Sequence, residues 1–314
     1  MNLLHMNENS GCAPFPRNKG LNFSRGEYIF FMDADDMITR TCLEEMYTLA
    51  KDYDADVVHC EKRYDADADG SNIRLVTHQR ATVEQPTFHS ENLAERVNFI
   101  LRRDIWGTPW CKLVRRNLLT ANEIRFQRVR PCDDHLWTLD IFFFAKKYLR
   151  VPNATYIWRK TETSATRGRR TIEQKMILWI ESAILGLKGL DKSLGKIDFF
   201  KNNLQARYDI VNYFLRKMFS ISWKYRRALQ SLNVYEAIKQ TFGKALEDQD
   251  IIVAALFASL DRIDKESIEQ REHIKQLETE NKNLKTEIDE MKFKLLEAEI
   301  NNQQFTNFIP CPIF

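Results

Sequence analysis

Three carboxylates stand together directly after an apolar run near the start of this 314-residue chain. The run is 28–32, and the acids are Asp33, Asp35 and Asp36. Residues two apart in an extended segment point the same way, so Asp33 and Asp35 can share one ligand. Carboxylate oxygens suit Mn²⁺ or Mg²⁺, and such a cation also binds phosphate oxygens. The pattern therefore predicts a divalent-metal site for a phosphate-bearing ligand.

The apolar run indicates which element carries these acids. Five apolar residues without a polar alternation predict a strand that is buried on both faces, as in a mostly parallel sheet covered by helices. Ligands of such sheets bind beyond the carboxyl ends of the strands, where the three acids stand. The alternative is a turn in which one Asp caps the next helix, a task that Thr39 or Thr41 could share. Capping needs one carboxylate, so three favour a binding site.

Four short segments follow one another in this part of the chain, at 7–11, 17–21, 26–29 and 33–36. Together they resemble the middle of a family 2 glycosyltransferase of the GT-A fold. The resemblance implies that Asp33-Ala34-Asp35-Asp36 is the Asp-X-Asp motif of that family. It also implies a nucleotide-diphosphate sugar as donor and Mn²⁺ or Mg²⁺ as cofactor, with Asp33 and Asp35 as metal ligands.

A second acidic pair, Asp133-Asp134, opens an apolar helix predicted at about 133–146. The helix dipole favours a carboxylate there and is expected to lower its pKa. An ordinary cap followed by a first-turn acid would look the same. The resemblance implies instead that Asp134 is the general base, which takes the proton of the acceptor hydroxyl. Asp133 would then accept hydrogen bonds from other acceptor hydroxyls. The family usually has Glu-Asp at this place.

Three further residues are expected near the donor diphosphate. Arg17 opens a helix predicted at about 17–25, and a guanidinium there can reach a diphosphate, although a surface cation is an equal alternative. The resemblance implies that Arg159 and Ser164, after the strand predicted at 151–158, also lie beside the diphosphate.

Two tryptophans flank a Gly-Thr-Pro segment at 107–109. Aromatic rings stack on sugar faces, so Trp106 is the predicted acceptor platform. Core packing is the alternative for both rings, and it is preferred for Trp110.

The chain is expected to have four parts. Residues 1–165 form a partial GT-A domain of the α/β class, with a Rossmann-like, doubly wound mixed sheet. The family's first strand-helix-strand unit, which holds the base and ribose, has no counterpart in this sequence. A helical region at 166–255, a coiled coil at 256–302 and an apolar tail at 303–314 follow.

Heptads near the end of the sequence predict the coiled coil. Apolar residues recur at positions a and d, with one Asn at an a position; position a holds Ile274, Asn281, Ile288 and Leu295, and position d holds Leu277, Leu284, Met291 and Ala298. Ile at a with Leu at d favours two parallel strands, and a buried Asn sets their register. A homodimer through 260–302 is therefore predicted. The alternative is one amphipathic helix folded onto its own body.

Composition and charge exclude several classes of protein. A net charge of +3 is too small to argue for nucleic acid as a partner. No apolar run is long enough to span a bilayer, and six scattered cysteines indicate reduced thiols in a cytoplasmic protein. The basic, aromatic stretch at 201–240 could lie on the inner face of the membrane, although a solvated helical face is favoured. The acidic run at 65–70 predicts a hairpin turn rather than a calcium loop, because position twelve is Val76.

The residues and the resemblance lead to one predicted function. It is a metal-dependent, inverting transfer of sugar to a hydroxyl of a glycan or lipid-linked acceptor, for a bacterial surface polysaccharide. The alternative is a truncated, non-catalytic remnant that acts as a coiled-coil oligomerisation module.

Overall fold

A computed structural model describes residues 3–6, 10–77, 83–103, 105–129, 131–161, 172–223, 269–270 and 272–295. The chain forms two compact units, Met1–Leu256 and Phe257–Phe314. The first unit contains a sheet and the helices packed on it.

Seven strands form one mixed sheet in the described residues. They are β1 Tyr28–Phe30, β2 Met37–Ile38, β3 Val57–Asp67, β4 Arg74–Thr77, β5 Thr87–Phe88, β6 Lys112–Arg115 and β7 Tyr148–Lys160. The main order is β1-β6-β3-β7-β2, with β4 on β3 and β5 on β7. The long β3–β7 pair is parallel and the other pairs are antiparallel. The mixed sheet confirms the α/β class, but the sheet is not mostly parallel.

Eight helices accompany the sheet in the described part of the first unit. They are α1 Pro14–Phe23, α2 Cys42–Asp52, α3 Leu93–Arg103, α4 Arg116–Ala121, α5 Asp133–Phe144, α6 Ile172–Leu194, α7 Asp198–Asn202 and α8 Leu204–Trp223. The helix predicted at 17–25 begins earlier, at Pro14. Both prolines of that segment lie in its first turn, where no N–H partner is required.

Helices cover both faces of the sheet. Val58 and Cys60 of β3 join the buried cluster of α2. His59 points to the other side, where its Nδ1 lies 3.1 Å from Tyr148 Oη. Tyr148 in turn packs on Phe142 of α5, with ring centroids 5.1 Å apart. The alternation along β3 therefore places α2 and α5 on opposite faces, as a doubly wound arrangement requires.

The strand before the acids differs from its prediction. β1 has three residues, and Ile29 is buried while Tyr28 and Phe30 are half-buried. Met32 is 45% exposed. Burial on both sides was therefore wrong, because β1 pairs with β6 alone among the described strands. A strand with one neighbour leaves part of its side-chain surface uncovered.

The spacing of apolar residues predicts an amphipathic helix at 39–53, with Leu43, Met46, Tyr47 and Leu49-Ala50 on one side. In the structure α2 buries Cys42, Met46 and Ala50, whereas Leu43 and Tyr47 are about half exposed. The buried residues are four apart, so they form one stripe along the helix. Met46 and Ala50 are therefore buried as predicted, whereas Leu43 and Tyr47 do not belong to the buried stripe.

The acidic run at 65–70 forms the predicted hairpin turn. β3 and β4 pair antiparallel, and Asp67 N donates to Ser71 O at 2.9 Å. Gly70 adopts a φ of 86° in that turn, which glycine accommodates without strain.

The second unit is described at 269–270 and 272–295, and 272–295 is helical. The apolar a and d side chains in this helix are about half exposed, from 46% at Leu277 to 63% at Leu295. Ala298, the tail and residues 224–240 lie outside the described residues. Among the helices that are described, none is long and apolar enough to cross a membrane.

Candidate active site

The loop of the three acids is held on β7. It leaves β1 after Phe30 and enters β2 at Met37. Asp36 is 5% exposed, and its carboxylate accepts hydrogen bonds from Tyr156 Oη at 2.6 Å and from Arg159 N at 2.9 Å. Asp33 N donates to the same Tyr156 oxygen at 3.1 Å. Tyr156 and Asp36 therefore fix the backbone from which the Asp33 and Asp35 side chains extend.

Arg17 joins this loop to the acidic pair of α5. Its Nη2 lies 2.7 Å from Asp33 Oδ1, and its Nη1 donates to Asp134 Oδ1. Nη1 is also 3.5 Å from Asp133 Oδ2. The guanidinium packs over the ring of Phe126 at 5.0 Å and its side chain is 12% exposed. One largely enclosed cation therefore links carboxylates that are about a hundred residues apart in the chain.

The two acids at the start of α5 differ in exposure. The Asp133 side chain is 7% exposed and that of Asp134 is 30% exposed. Burial raises the pKa of Asp133 to about 7, and the neighbouring Asp134 adds to the shift. Burial also raises the pKa of Asp134, against the lowering effect of Arg17. The expected lowering by the helix dipole was wrong, because desolvation of the carboxylates outweighs it.

Arg159 at the end of β7 and Thr161 just after it approach Asp35. Arg159 Nε donates to the backbone oxygen of Asp35, and Thr161 Oγ1 is 3.3 Å from Asp35 Oδ2. Asp35 itself is exposed. Arg159 thus lies beside the loop of the acids, where the resemblance places a donor-binding arginine. Ser164 lies outside the described residues.

Trp110 is 6% exposed and belongs to the core cluster, as predicted. Trp106 is half-buried. Lys112 Nζ donates to Trp106 O at 2.9 Å and to Thr108 O at 2.5 Å, which holds the loop between the two rings.

This loop also touches the start of α5. A Cβ added to Gly107 would lie 2.0 Å from Nδ1 of His135, the residue after Asp134. Only glycine allows this approach, so Trp106 is tied to the helix that carries the acidic pair.

The far end of α5 is fixed by a buried arginine. Arg96 of α3 is 1% exposed and donates to Phe142 O at 2.6 Å and Lys146 O at 2.8 Å. Cations at a helix C-terminus satisfy its last carbonyls and favour its dipole. Arg96 therefore anchors α5, and with it the position of Asp134.

A metal ion would need oxygen ligands beyond the protein's own. No group of three or more His, Cys, Asp or Glu side chains suited to a metal occurs in the described ranges. Asp33 and Asp35 can supply two carboxylates, and Mg²⁺ is commonly held by one or two carboxylates with substrate phosphates and water. The donor set therefore fits a cation that is shared with a diphosphate. Arg17 and Asp33 also line a cleft of about 680 Å³ between α1 and β1.

Sequence reasoning did not single out Tyr156 or the supporting role of Asp36. Tyr156 stands in an apolar strand, where a tyrosine reads as core, and it is fully buried. Its hydroxyl bonds to residues more than a hundred positions away, so no local spacing could reveal them.

The sequence of this chain is similar to those of known glycosyltransferases. Residues 2–119 match the family model described as glycosyl transferase family 2. The glycosyltransferase GlyG of Streptococcus pneumoniae is 27% identical over 203 residues, which cover 63% of this chain and 66% of that protein. The poly(ribitol-phosphate) beta-N-acetylglucosaminyltransferase TarP of Staphylococcus aureus is 26% identical over 144 residues, covering 46% of this chain and 40% of TarP.

The fold is similar to that of a protein of known structure, TarS of S. aureus. The crystal structure of S. aureus TarS 1–349 in complex with UDP-GlcNAc superposes with a TM-score of 0.52 and 21% identity, covering 81% of this chain and 62% of that chain. The chain thus spans two thirds or less of the length of these proteins. The family model and the relatives agree with each other, and residues 2–119 are similar in sequence to the glycosyltransferases of family 2.

Proposed function

We propose that this protein transfers a sugar from a nucleotide-diphosphate sugar to an acceptor hydroxyl, with inversion at the anomeric carbon. The observation that carries the proposal is the bridge made by Arg17 between Asp33 and Asp134. It brings the candidate metal ligands and the candidate base into one site, as a transfer between donor and acceptor requires.

The acidic and basic side chains of the site have different roles in this reaction. Asp134 accepts the proton of the acceptor hydroxyl while the oxygen attacks the anomeric carbon from the face opposite the leaving group. The bond between that carbon and the diphosphate breaks, and the diphosphate leaves with the electron pair. Mn²⁺ or Mg²⁺ held by Asp33 and Asp35 would neutralise charge on the diphosphate. Arg17 and Arg159 lie on either side of the same loop and would add positive charge there.

The exposures of the acidic pair support the roles assigned to them. Asp134 is the more exposed acid and can meet an acceptor, whereas Asp133 is nearly enclosed. Its raised pKa makes Asp134 a stronger base than an ordinary aspartate once it is deprotonated. Among the relatives, TarP is named for transfer to poly(ribitol-phosphate), and a cell-surface polymer is the acceptor class that we propose here.

Donor binding and product stereochemistry test this function. Calorimetry of the full chain with a panel of nucleotide-diphosphate sugars should detect binding in Mn²⁺ that disappears in EDTA. Nuclear magnetic resonance of the product should show the opposite anomeric configuration to that of the donor. A chain that binds no nucleotide sugar in either condition would contradict the proposal.

We also propose that the helix at 272–295 pairs with a second copy of the chain, in parallel. Its apolar seam is exposed in the single chain. The flanking positions are complementary: Glu280 and Glu287 stand at g, and Lys285 and Lys292 stand at the following e positions. In a parallel dimer each g residue faces the next e residue of the partner helix, so both pairs are of opposite charge.

A further inference from the structure

Arg63 of β3 lies among three tryptophans. Its guanidinium carbon is 5.0 Å from the ring centroid of Trp106 and 5.3 Å from those of Trp110 and Trp158. These three residues, the tryptophan cage, come from the 105–111 loop and from β7. Aromatic faces attract a guanidinium, and three of them restrict how its plane can turn.

One hydrogen bond completes the orientation of Arg63. Its Nε donates to Asp65 Oδ1 at 2.8 Å, and the Arg63 side chain is 19% exposed. Within the described residues, neither Nη atom of Arg63 donates a hydrogen bond to another group. A guanidinium carries five N–H donors in a rigid fork that matches two oxygens of a phosphate or carboxylate. Asp65 therefore binds Nε of the Arg63 guanidinium and leaves the two Nη atoms for another anion.

The charges around the fork favour an anion. Asp65 Oδ2 also lies 3.9 Å from Lys160 Nζ, so one carboxylate is shared between two cations. The group of Arg63, Asp65 and Lys160 thus has a formal charge of +1. The fork is already ordered, so an incoming anion would not have to immobilise it, and this lowers the cost of binding.

The cage is connected to both halves of the candidate active site. Trp110 stacks on Tyr156 with centroids 4.7 Å apart and planes at 15°, and Tyr156 supports the loop of Asp33. Trp106 precedes Gly107, which packs against the residue after Asp134. The cage therefore contacts the elements that carry both acidic groups of the candidate site.

We propose that Arg63 binds a phosphodiester group of the acceptor polymer, with the half-buried rings of Trp106 and Trp158 against the neighbouring polyol or sugar carbons. This subsite rests on the proposed function and extends it, because it names an anionic acceptor. The two Nη atoms of Arg63 donate to two phosphate oxygens. The rings of Trp106 and Trp158 cover the carbon atoms of the polyol or sugar next to that phosphate.

Binding of a short synthetic oligomer of phosphodiester-linked ribitol tests the subsite directly. Titration of the full chain, followed by calorimetry and by tryptophan fluorescence, should show binding that weakens with added salt. Arg63→Gln should weaken it roughly tenfold or more, as expected for the loss of charge-assisted hydrogen bonds. Arg63→Lys keeps the charge but not the planar guanidinium, so its affinity for the oligomer should lie between those of the wild type and Arg63→Gln. Arg74→Gln is the matched control, since Arg74 is an exposed arginine of the same hairpin.

Other ligands separate this subsite from a general attraction of anions. A neutral oligosaccharide and a uronic acid oligomer of equal length should bind at least several-fold more weakly than the phosphodiester oligomer. Inorganic phosphate and vesicles containing anionic lipid should not compete with it at equal phosphate concentration. Equal binding of any of these, or an equal effect of Arg63→Gln and Arg74→Gln, would overturn the inference.

Donor binding distinguishes failure of the subsite from failure of the proposed function. Arg63→Gln should bind the nucleotide sugar as the wild type does, which also shows that the variant is folded. If the donor binds but Arg63→Gln retains the oligomer, the subsite alone is wrong. If no donor binds and binding of the oligomer still depends on Arg63, the subsite is supported and the proposed transferase function is wrong.

Discussion

The hydroxyl of Tyr156 donates to the buried carboxylate of Asp36 at 2.6 Å and accepts from the backbone N of Asp33 at 3.1 Å. One tyrosine on β7 therefore holds both ends of the four-residue loop that carries Asp35. The ring of Tyr156 is kept in place by stacking on Trp110. The loop thus depends on a side chain of the sheet rather than on its own turn.

Removing this hydroxyl should loosen the loop without unfolding the protein. Tyr156→Phe keeps the stacked ring but leaves Asp33 N and one oxygen of Asp36 without partners, which should cost about 1–3 kcal/mol of unfolding free energy. We expect weaker Mn²⁺-dependent donor binding as well. Chemical denaturation and calorimetry measure the two effects. Tyr53→Phe, at an exposed position, should change neither, and unaltered donor binding in Tyr156→Phe would refute the supporting role.

The metal proposal predicts the behaviour of Asp35. Asp35→Ala removes one of two carboxylate ligands, so Mn²⁺-dependent binding of the donor should be abolished. The matched control is Glu44→Ala, which removes an exposed carboxylate from the first turn of α2. Calorimetry with and without Mn²⁺ is the measurement. An affinity that keeps its full dependence on Mn²⁺ in Asp35→Ala would show that Asp35 is not a ligand.

The assignment of the base predicts a difference between the two neighbouring acids. Asp134→Asn should lower turnover by roughly a hundredfold or more, the usual scale for a general base, while donor binding survives. Asp133→Asn should have the smaller effect, because Asp133 is nearly enclosed. Steady-state kinetics with both variants decides the order. A more damaging Asp133→Asn would reverse the two roles.

A buried acid on α5 predicts a pH dependence of stability. Burial raises the pKa of Asp140 to about 7, against the lowering effects of its hydrogen bond from Ser193 and of Lys196. The folded state therefore favours the neutral acid, and the free energy of unfolding should fall as pH rises from about 4, the unfolded pKa, to about 7. Asp140→Asn cannot ionise and should gain stability over the wild type across this window.

The gain should reach on the order of 4 kcal/mol at pH 8 and vanish below about pH 4. Urea denaturation at several pH values gives the free energy of unfolding of both proteins. The titration of all other groups contributes equally to both values and cancels in their difference. Asp52→Asn replaces an exposed aspartate in the same way and is the matched control. A constant difference between Asp140→Asn and the wild type would contradict the buried titration.

The coiled coil predicts a dimer that can be tuned. A peptide spanning 260–302, and the full chain, should sediment as dimers. Asn281→Ile should raise the melting temperature of the peptide while loosening its preference for two strands. Glu287→Lys should weaken the dimer, and adding Lys292→Glu should restore it, because the two residues face each other across a parallel pair. A peptide that stays monomeric at high micromolar concentration would contradict pairing of the apolar a and d residues between two copies of the chain.

Local signals in the sequence were enough for the chemical outline of this protein. The acids after the apolar run, the pair that opens α5 and the acidic hairpin all depend on neighbours within a few residues, and strand ends, helix starts and turns are set by such neighbours. The order of the short segments was enough for the family. The burial of Trp110 was also predicted, since core packing is the usual place of a large aromatic ring.

Only the tertiary structure decided how these parts work together. Arg17 meets Asp134 across 117 positions, and Tyr156 meets Asp36 across 120, so neither contact leaves a periodic trace in the sequence. Burial also decided the direction of the Asp133 and Asp134 pKa shifts, and burial depends on helices and strands that are distant in the sequence. The same holds for Arg63, whose three tryptophan neighbours come from two segments distant in the chain. Desolvation and side-chain contact are properties of the packed chain, and they outweighed the local effect of the helix dipole.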